Sequence, residues 1–286
     1  MDGMDEPRNW KYPSTDAPGM HTVVSPSNSA CRELRIFRLN LAAGSAHLLR
    51  ETDLELHGVV ISGSVSMEGA GLRGTLERFD SFYVPAGTSL ALNARGDAMV
   101  YLGGAVYEGV GAPRSRHFDP SLPLGPVHQR HGRPPYEREV FMTLDPATPA
   151  SRLIAGLTWS RPGAWTSWPP HQHEKDLEEA YFYFDMPAPR FGLHLSYGES
   201  GIPQAVHAVS SGDCVIAPRG YHPTAAIPGS CNSYFWVLAA RSLKSRRYDL
   251  AVEDPAYRQK AGPAVETPCD PRVDTMRAVP APRREP

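Results

Sequence analysis

The sequence has few cysteines and no long hydrophobic run. Its 286 residues include four cysteines, which are far apart and form no Cys-x-x-Cys pair: Cys31, Cys214, Cys231 and Cys269. This spacing argues against a disulfide framework or a cysteine-rich zinc site, and it fits a reducing compartment. No segment reaches eighteen apolar residues, and the first residues are acidic rather than typical of a signal peptide. We therefore predict a cytoplasmic protein without a membrane partner.

The sequence also lacks an excess of charge of one sign. Its 29 basic and 31 acidic residues give a net charge of -2, and they are mixed along the chain. This balance argues against a nucleic-acid or anionic-membrane partner. With 41% hydrophobic residues, the chain can bury a sizeable core, and we expect two domains of about 120 residues each.

Long helical repeats are missing as well, and 25 Gly and 29 Pro separate short apolar runs. This rhythm predicts an all-β fold with few, short helices. We predict a first domain over 1–115, a connection over 116–137, a second domain over 138–260 and an extended or disordered tail over 261–286. The predicted strands are Glu33–Leu41, His57–Met67, Ser81–Val84, Ala98–Leu102, Arg152–Trp159, Ala180–Phe184, Phe191–Tyr197, Gln204–Val209, Asp213–Ala217 and Tyr234–Ala239.

One group of residues in the second half indicates a metal site. His171 and His173 share one face of an extended segment, because side chains alternate along a strand. A glutamate pair, Glu178 and Glu179, opens the next strand, and His222 follows a Pro-x-Gly turn. Three imidazoles and one carboxylate suit a divalent metal such as Zn, Fe, Mn or Ni. A weak internal repeat places no such histidines in the first half, so we predict that the first domain binds no metal and serves as a scaffold.

Three segments of the second half carry a family resemblance. Trp165–His173, Glu178–Tyr183 and Pro218–Pro223 resemble the 5-deoxy-glucuronate isomerases of myo-inositol breakdown and the related 5-keto-4-deoxyuronate isomerases of pectin breakdown. The resemblance implies a bicupin with two tandem jelly-roll-like β-barrels and a metal, zinc first, held by the three histidines. Spacing from His173 alone favours Glu178 as the fourth ligand, whereas alignment on the Tyr-x-Tyr strand, as in the family, favours Glu179. We predict Glu179 as the ligand.

The resemblance also implies a reaction, the aldose–ketose isomerisation of a sugar acid. The expected conversion is 5-deoxy-glucuronate to 5-dehydro-2-deoxy-gluconate, through an enediolate whose charge a divalent ion stabilises as a Lewis acid. The protein must also supply a base. His194 and Glu178 are the candidates for that base, and Tyr183 is a candidate hydrogen-bond donor to a substrate oxygen.

The carboxylate of a sugar acid calls for a cationic partner, and arginine binds it in a bidentate manner. The predicted candidates are Arg219, in the Pro-x-Gly turn, and Arg190, with Lys175 as a point charge. Tyr221 is a further candidate contact, although packing explains it equally well.

Three alternatives to this function remain open at the level of sequence. They are a 5-keto-4-deoxyuronate isomerase, an Fe(II) cupin dioxygenase, and a non-enzymatic cupin that binds a sugar acid, because one ligand set serves several reactions. In each case the partner is a small-molecule sugar acid. We also predict a homo-oligomer, because a second subunit commonly covers exposed sheet edges.

Overall fold

The computed structural model describes residues 3–258 as two tandem β-barrels. The only helices in that range are three 3-10 turns, at Pro7–Asn9, Leu243–Ser245 and Tyr248–Leu250. The prediction of an all-β fold with short peripheral helices is confirmed. The predicted tail over 261–286 lies outside the described residues.

The first barrel is built from a six-stranded and a four-stranded sheet. The six-stranded sheet has the order β11-β8-β5-β10-β3-β2, and the four-stranded sheet has the order β4-β9-β6-β7 when the strands are numbered along the chain. The strands of the first part of the chain are β1 (Lys11–Pro13), β2 (Gly19–Val24), β3 (Arg35–Leu41), β4 (Ala46–Arg50), β5 (Leu54–Ser62), β6 (Val65–Gly69), β7 (Leu72–Leu76), β8 (Ser81–Val84), β9 (Ser89–Ala94), β10 (Ala98–Val106) and β11 (Arg114–Arg116).

The second barrel repeats this plan with a seven-stranded sheet and a four-stranded sheet. Their orders are β1-β20-β17-β22-β14-β13-β12 and β15-β21-β18-β19, and β16 pairs separately with β23. The strands of the second part are β12 (His128–His131), β13 (Arg138–Leu144), β14 (Leu153–Ser160), β15 (Trp165–Thr166), β16 (His171–Gln172), β17 (Leu177–Tyr183), β18 (Gly192–Ser196), β19 (Ala205–Val209), β20 (Asp213–Ala217), β21 (Thr224–Ala226), β22 (Ser233–Ala240) and β23 (Val252–Glu253).

The structure differs from the predicted boundaries in three places. Strand β1 lies in the sheet of the second barrel, where it pairs with β20. Strand β12, in the predicted connection, is the opposite edge of that sheet. The predicted strand His57–Met67 is two strands, because the chain turns at Gly63 with φ of +71°, where a Cβ would lie 2.2 Å from the carbonyl oxygen of Asp97.

The two large sheets pack face to face, and their contact forms the largest apolar core. Residues of both barrels meet there, including Leu34, Val59, Phe182 and Phe235, and the rings of Tyr101 and Phe182 stack at 3.5 Å between centroids. Each barrel has a second core in its own interior. Because side chains alternate along β17, one of its faces points into this shared core and the other into the second barrel.

Candidate metal centre

The inward face of β17 and two adjoining segments bring four potential ligands together. Glu179 lies on β17, His171 on β16, His173 just after β16, and His222 in the turn between β20 and β21. One ligand atom from each of the four lies within 4.8 Å of the others. Within residues 3–258 this is the only such group of histidine, cysteine and acidic side chains.

The backbone fixes the orientation of all three imidazoles. In each histidine, Nδ1 contacts a nearby backbone carbonyl oxygen. The distances are 3.0 Å from His171 to Pro169, 3.2 Å from His173 to Leu177 and 2.9 Å from His222 to Gly220. A carbonyl oxygen only accepts hydrogen bonds, so each Nδ1 carries the proton and donates it. Each Nε2 is therefore left with its lone pair, which is the arrangement of metal-ligating histidines.

Glu179 lies between two of these Nε2 atoms. Its Oε2 atom is 2.9 Å from Nε2 of His173 and 3.0 Å from Nε2 of His222. With Nδ1 protonated, a neutral imidazole presents a lone pair to the carboxylate, and two acceptors do not bind each other. A cation shared between them resolves this conflict. The donor set therefore fits a divalent metal ion.

Burial and mutual charge affect the ionisation of the cluster. Burial, together with the neighbouring His222 and His173, lowers the pKa of His171 to about 3. Burial alone would raise the pKa of Glu179, but its close contacts with His173 and His222 outweigh this effect and hold that pKa well below its usual range. His171 is therefore neutral and Glu179 is ionised near neutral pH, as ligands must be.

A small cavity of about 40 Å³ adjoins the cluster. His171 and Glu179 form part of its wall, and the rest comes mainly from the inward faces of β13, β14, β17 and β22. Its lining residues are Arg138, Val140, Thr158, Ser167, His171, Glu179, Tyr181, Tyr234, Trp236 and Tyr248.

Glu178, predicted as a catalytic base, points away from this cavity. It is fully buried on the opposite face of β17, where its carboxylate accepts hydrogen bonds from the backbone N–H groups of Arg32, Glu33 and Leu34 at 2.8 to 3.1 Å. Arg241 lies 3.3 Å from the same carboxylate. The base role is wrong for Glu178, because the alternation that places Glu179 in the barrel directs Glu178 into the contact between the barrels.

His194 and Tyr183 lie beside the cluster but are not part of the cavity wall. Both are fully buried, and Nδ1 of His194 lies 2.8 Å from the hydroxyl of Tyr183. Nε2 of His194 has no hydrogen-bond partner within the described chain. Burial lowers the pKa of His194 well below its usual value, and the nearby His222 adds to this effect. His194 is therefore a neutral imidazole, and its Nε2 atom, next to the cluster, has no hydrogen-bond partner among the described residues.

The structure does not bring the predicted substrate-binding residues to the cavity. Arg219 lies over the ring of Trp10 and contacts Asp5, so it faces the first residues of the described chain. Arg190 and Lys175 are exposed. Tyr221 packs against Tyr197, with 5.2 Å between ring centroids.

Eight of the ten cavity residues were not predicted from sequence as part of the site, among them Arg138, Tyr181, Tyr234 and Tyr248. Strand alternation could have identified two of them. Tyr181 shares a face of β17 with Glu179, and Arg138 shares a face of β13 with the buried Val140. Tyr248 lies in a short helical turn after the barrel, where no periodic pattern marks it.

Comparison with known proteins agrees with this geometry. Residues 10–259 match the model of the KduI/IolB family. The chain belongs to this family. It is 30% identical over 223 residues to the 5-deoxy-glucuronate isomerase of Geobacillus kaustophilus, covering 71% of this chain and 78% of that protein. It is 27% identical to the enzyme of the same name from Lacticaseibacillus casei, over 80% of this chain and 89% of that one. The prediction of an isomerase is confirmed.

Solved structures support the fold of this family member. An IolB-like protein from Salmonella typhimurium superposes with a TM-score of 0.77 at 24% identity, over 87% of this chain and 98% of that one. Oxalate decarboxylase of Bacillus subtilis, whose Mn(II) centres have been described, superposes with a TM-score of 0.59 at 13% identity, over 86% of this chain and 79% of that one. The bicupin prediction is confirmed. Among residues 3–258, no helix has the length and apolar character needed to cross a membrane.

Proposed function

We propose that this protein is a zinc-dependent isomerase that converts 5-deoxy-glucuronate to 5-dehydro-2-deoxy-gluconate in myo-inositol catabolism. The names of its relatives support the substrate. The observation that supports the metal is the meeting of Glu179 with the Nε2 lone pairs of His173 and His222. A cytoplasmic location and a homo-oligomeric state are part of the same proposal.

In this proposal His171, His173, Glu179 and His222 hold the ion. When bound, a divalent cation supplies Lewis-acid stabilisation for negative charge that develops on two adjacent substrate oxygens. The cavity wall contributes the hydroxyls of Ser167 and Tyr181, which lie 3.1 Å apart. Burial raises the pKa of Tyr181 well above its usual value, so its hydroxyl keeps its proton and is able to donate it to a substrate oxygen.

The proton transfer between carbons requires a base, and we assign it to His194. Its imidazole is neutral, and its Nε2 atom has no other partner in the described chain. Tyr183 holds the ring through Nδ1, at 2.8 Å. The rings of Tyr181 and His194 lie in a T-shaped arrangement at 4.9 Å between centroids, so the proposed base is next to a cavity-lining side chain.

The first test measures metal content and turnover on one sample. Purified protein is analysed for bound metals and then incubated without oxygen with 5-deoxy-glucuronate, and proton NMR follows the substrate and the keto-acid product. We expect zinc at one ion per chain, with product formed as substrate is lost. His173→Ala and Glu179→Gln should lose both metal and turnover.

Two outcomes would contradict the proposal. Bound metal without turnover would contradict the proposed substrate, and 5-keto-4-deoxyuronate would then be assayed. Bound iron with oxygen uptake would indicate a dioxygenase.

A second test concerns the base. His194→Gln should retain the metal and lose turnover, whereas Tyr183→Phe should retain the metal and lose part of the turnover because it only orients His194. Full activity in His194→Gln would show that another group moves the proton. The Tyr181→Phe variant then tests the cavity hydroxyl as that group.

A further inference from the structure

One cation is built into the wall of the cavity beside the metal cluster. Of the ten lining residues, Arg138 is the only arginine or lysine. It lies on β13, opposite Ser160 of β14, and its side chain is half-buried. Its Nη1 atom donates a hydrogen bond to the carbonyl oxygen of Trp168 at 3.0 Å. The guanidinium is therefore held in place by a single backbone contact at one end.

The guanidinium has no acidic partner in the described chain. No carboxylate of residues 3–258 forms an ion pair with it within 4 Å, although Glu137 and Glu139 flank it in sequence. Glu137 lies instead 3.7 Å from Arg130 and 3.8 Å from Arg161, and Glu139 bonds to His128. Both acidic neighbours thus have partners other than Arg138, although they line a second pocket together with it. An anion bound beside this guanidinium would supply the counter-charge that these residues do not.

The charge of Arg138 acts on the cavity itself. Burial raises the pKa of Tyr234 and Tyr248, which line the cavity, and the positive charge of Arg138 opposes the rise in each case. The other cations considered for the substrate are directed elsewhere, since Arg219 contacts Asp5 and Trp10. Arg138 is therefore the fixed positive charge that a ligand in this cavity meets.

We propose that Arg138 binds the carboxylate of the substrate and selects sugar acids over neutral sugars. This inference rests on the proposed function, because it assumes that the cavity takes a sugar acid. The planar guanidinium offers two parallel N–H groups to a carboxylate, and such charge-assisted pairs are stronger than neutral hydrogen bonds. Nη1 is anchored by Trp168, so the pair loses little side-chain entropy when the acid binds.

The test compares D-glucuronate with D-glucuronamide, in which a neutral amide replaces the carboxylate. Isothermal calorimetry on the zinc-loaded protein should give at least about 10-fold tighter binding of the acid. Arg138→Met should lose this preference and bind the acid about 10- to 100-fold more weakly. Arg138→Lys should retain part of it, because the charge remains and the planar fork is lost. Arg161→Met is the matched control, since that arginine is 68% exposed and outside the cavity, and it should behave as wild type.

The outcomes separate this inference from the proposed function. The assignment is overturned if the wild-type protein binds the two compounds equally or binds neither, or if Arg138→Met retains the preference. If Arg138→Met does not fold, Arg138→Lys decides, and a preference equal to wild type in that variant would show that the fork geometry has no role. A protein that prefers the acid through Arg138 but does not turn over 5-deoxy-glucuronate would contradict the substrate and leave the role of Arg138 standing.

Discussion

Glu55 and Glu178 occupy the same position in the two barrels, and each binds the backbone of the other barrel. Glu178 on β17 accepts hydrogen bonds from the backbone N–H groups of residues 32–34, which immediately precede β3. Glu55 on β5 accepts from those of residues 151–153, at the start of β14, at 2.6 to 2.8 Å. Each glutamate also faces an alanine on the next strand, Ala105 and Ala239. The two carboxylates form a reciprocal pair of contacts that joins the barrels.

Glu178→Gln should therefore lower the stability of the fold rather than abolish turnover. The amide replaces one accepting oxygen with a donor that faces buried N–H groups, so we expect the free energy of unfolding to fall by roughly 2–4 kcal/mol. Urea denaturation measures this loss, and Glu55→Gln should give a loss of similar size. Glu179→Gln is the adjacent control, which should lose the metal. A Glu178→Gln protein with wild-type stability but no turnover would indicate that Glu178 takes part in catalysis.

Removal of the metal should lower the thermal midpoint of unfolding. An ion that binds only the folded chain stabilises it by about 2.7 kcal/mol at a free concentration 100 times its dissociation constant. Treatment with a chelator should lower the midpoint, and added zinc should restore it. His222→Ala should not respond to either treatment. His117→Ala is the control because the His117 side chain is 73% exposed and outside the cluster. An equal response in both variants would place the stabilising ion elsewhere.

Gly156→Ala should disturb the cavity wall. Gly156 lies opposite Trp236 on the neighbouring strand, and a Cβ there would come within 2.4 Å of the indole ring. We expect a loss of about 1–3 kcal/mol in the free energy of unfolding, since the ring must move in a packed interior. Tryptophan fluorescence and urea denaturation together measure the effect. Gly96→Ala is the control, as nothing lies within 4 Å of its added Cβ. Equal stability of the two variants would contradict the predicted clash.

The segment Tyr248–Glu253 should change its dynamics when a ligand binds. Tyr248 stacks on Trp236 at the cavity, and β23 pairs with β16, which carries His171. A cavity of about 40 Å³ is far smaller than the roughly 300–1,000 Å³ of ordinary ligand sites, so we expect this segment to move when a sugar acid binds. Hydrogen exchange of its amides should be fast in the free protein and slower with D-glucuronate. Unchanged exchange, with β17 as the protected reference, would argue for entry elsewhere.

The sequence was sufficient to predict the four members of the cluster as a set. His171, His173 and His222 stand in short local patterns, and the period of a strand relates Glu179 to its neighbours. The same period implies that Glu178 faces the other way. On that other face Glu178 contacts residues 32–34, which are about 145 positions away in the chain. A contact over this distance cannot be predicted from a local sequence pattern.

The cations predicted to bind the substrate show the same limit. Arg219 is next to the cluster in sequence, but its direction is set by Asp5 and Trp10, more than 200 positions away. Arg138 is far from the motifs in sequence, and sheet pairing brings it to the cavity. Local patterns therefore predicted the members of the cluster, each of which stands in a short motif, whereas the position of the cations depends on how distant strands pair.

Strand β1, although it precedes the first barrel in sequence, belongs to the sheet of the second barrel. Lys11–Pro13 cover the free edge of β20, and the carbonyl oxygen of Trp10 accepts a hydrogen bond from the N–H of Ile216. Deleting these residues would uncover backbone groups that attract the edge strands of other molecules. A cut between the barrels would therefore separate the second barrel from a strand of its own sheet and leave the edge of β20 uncovered.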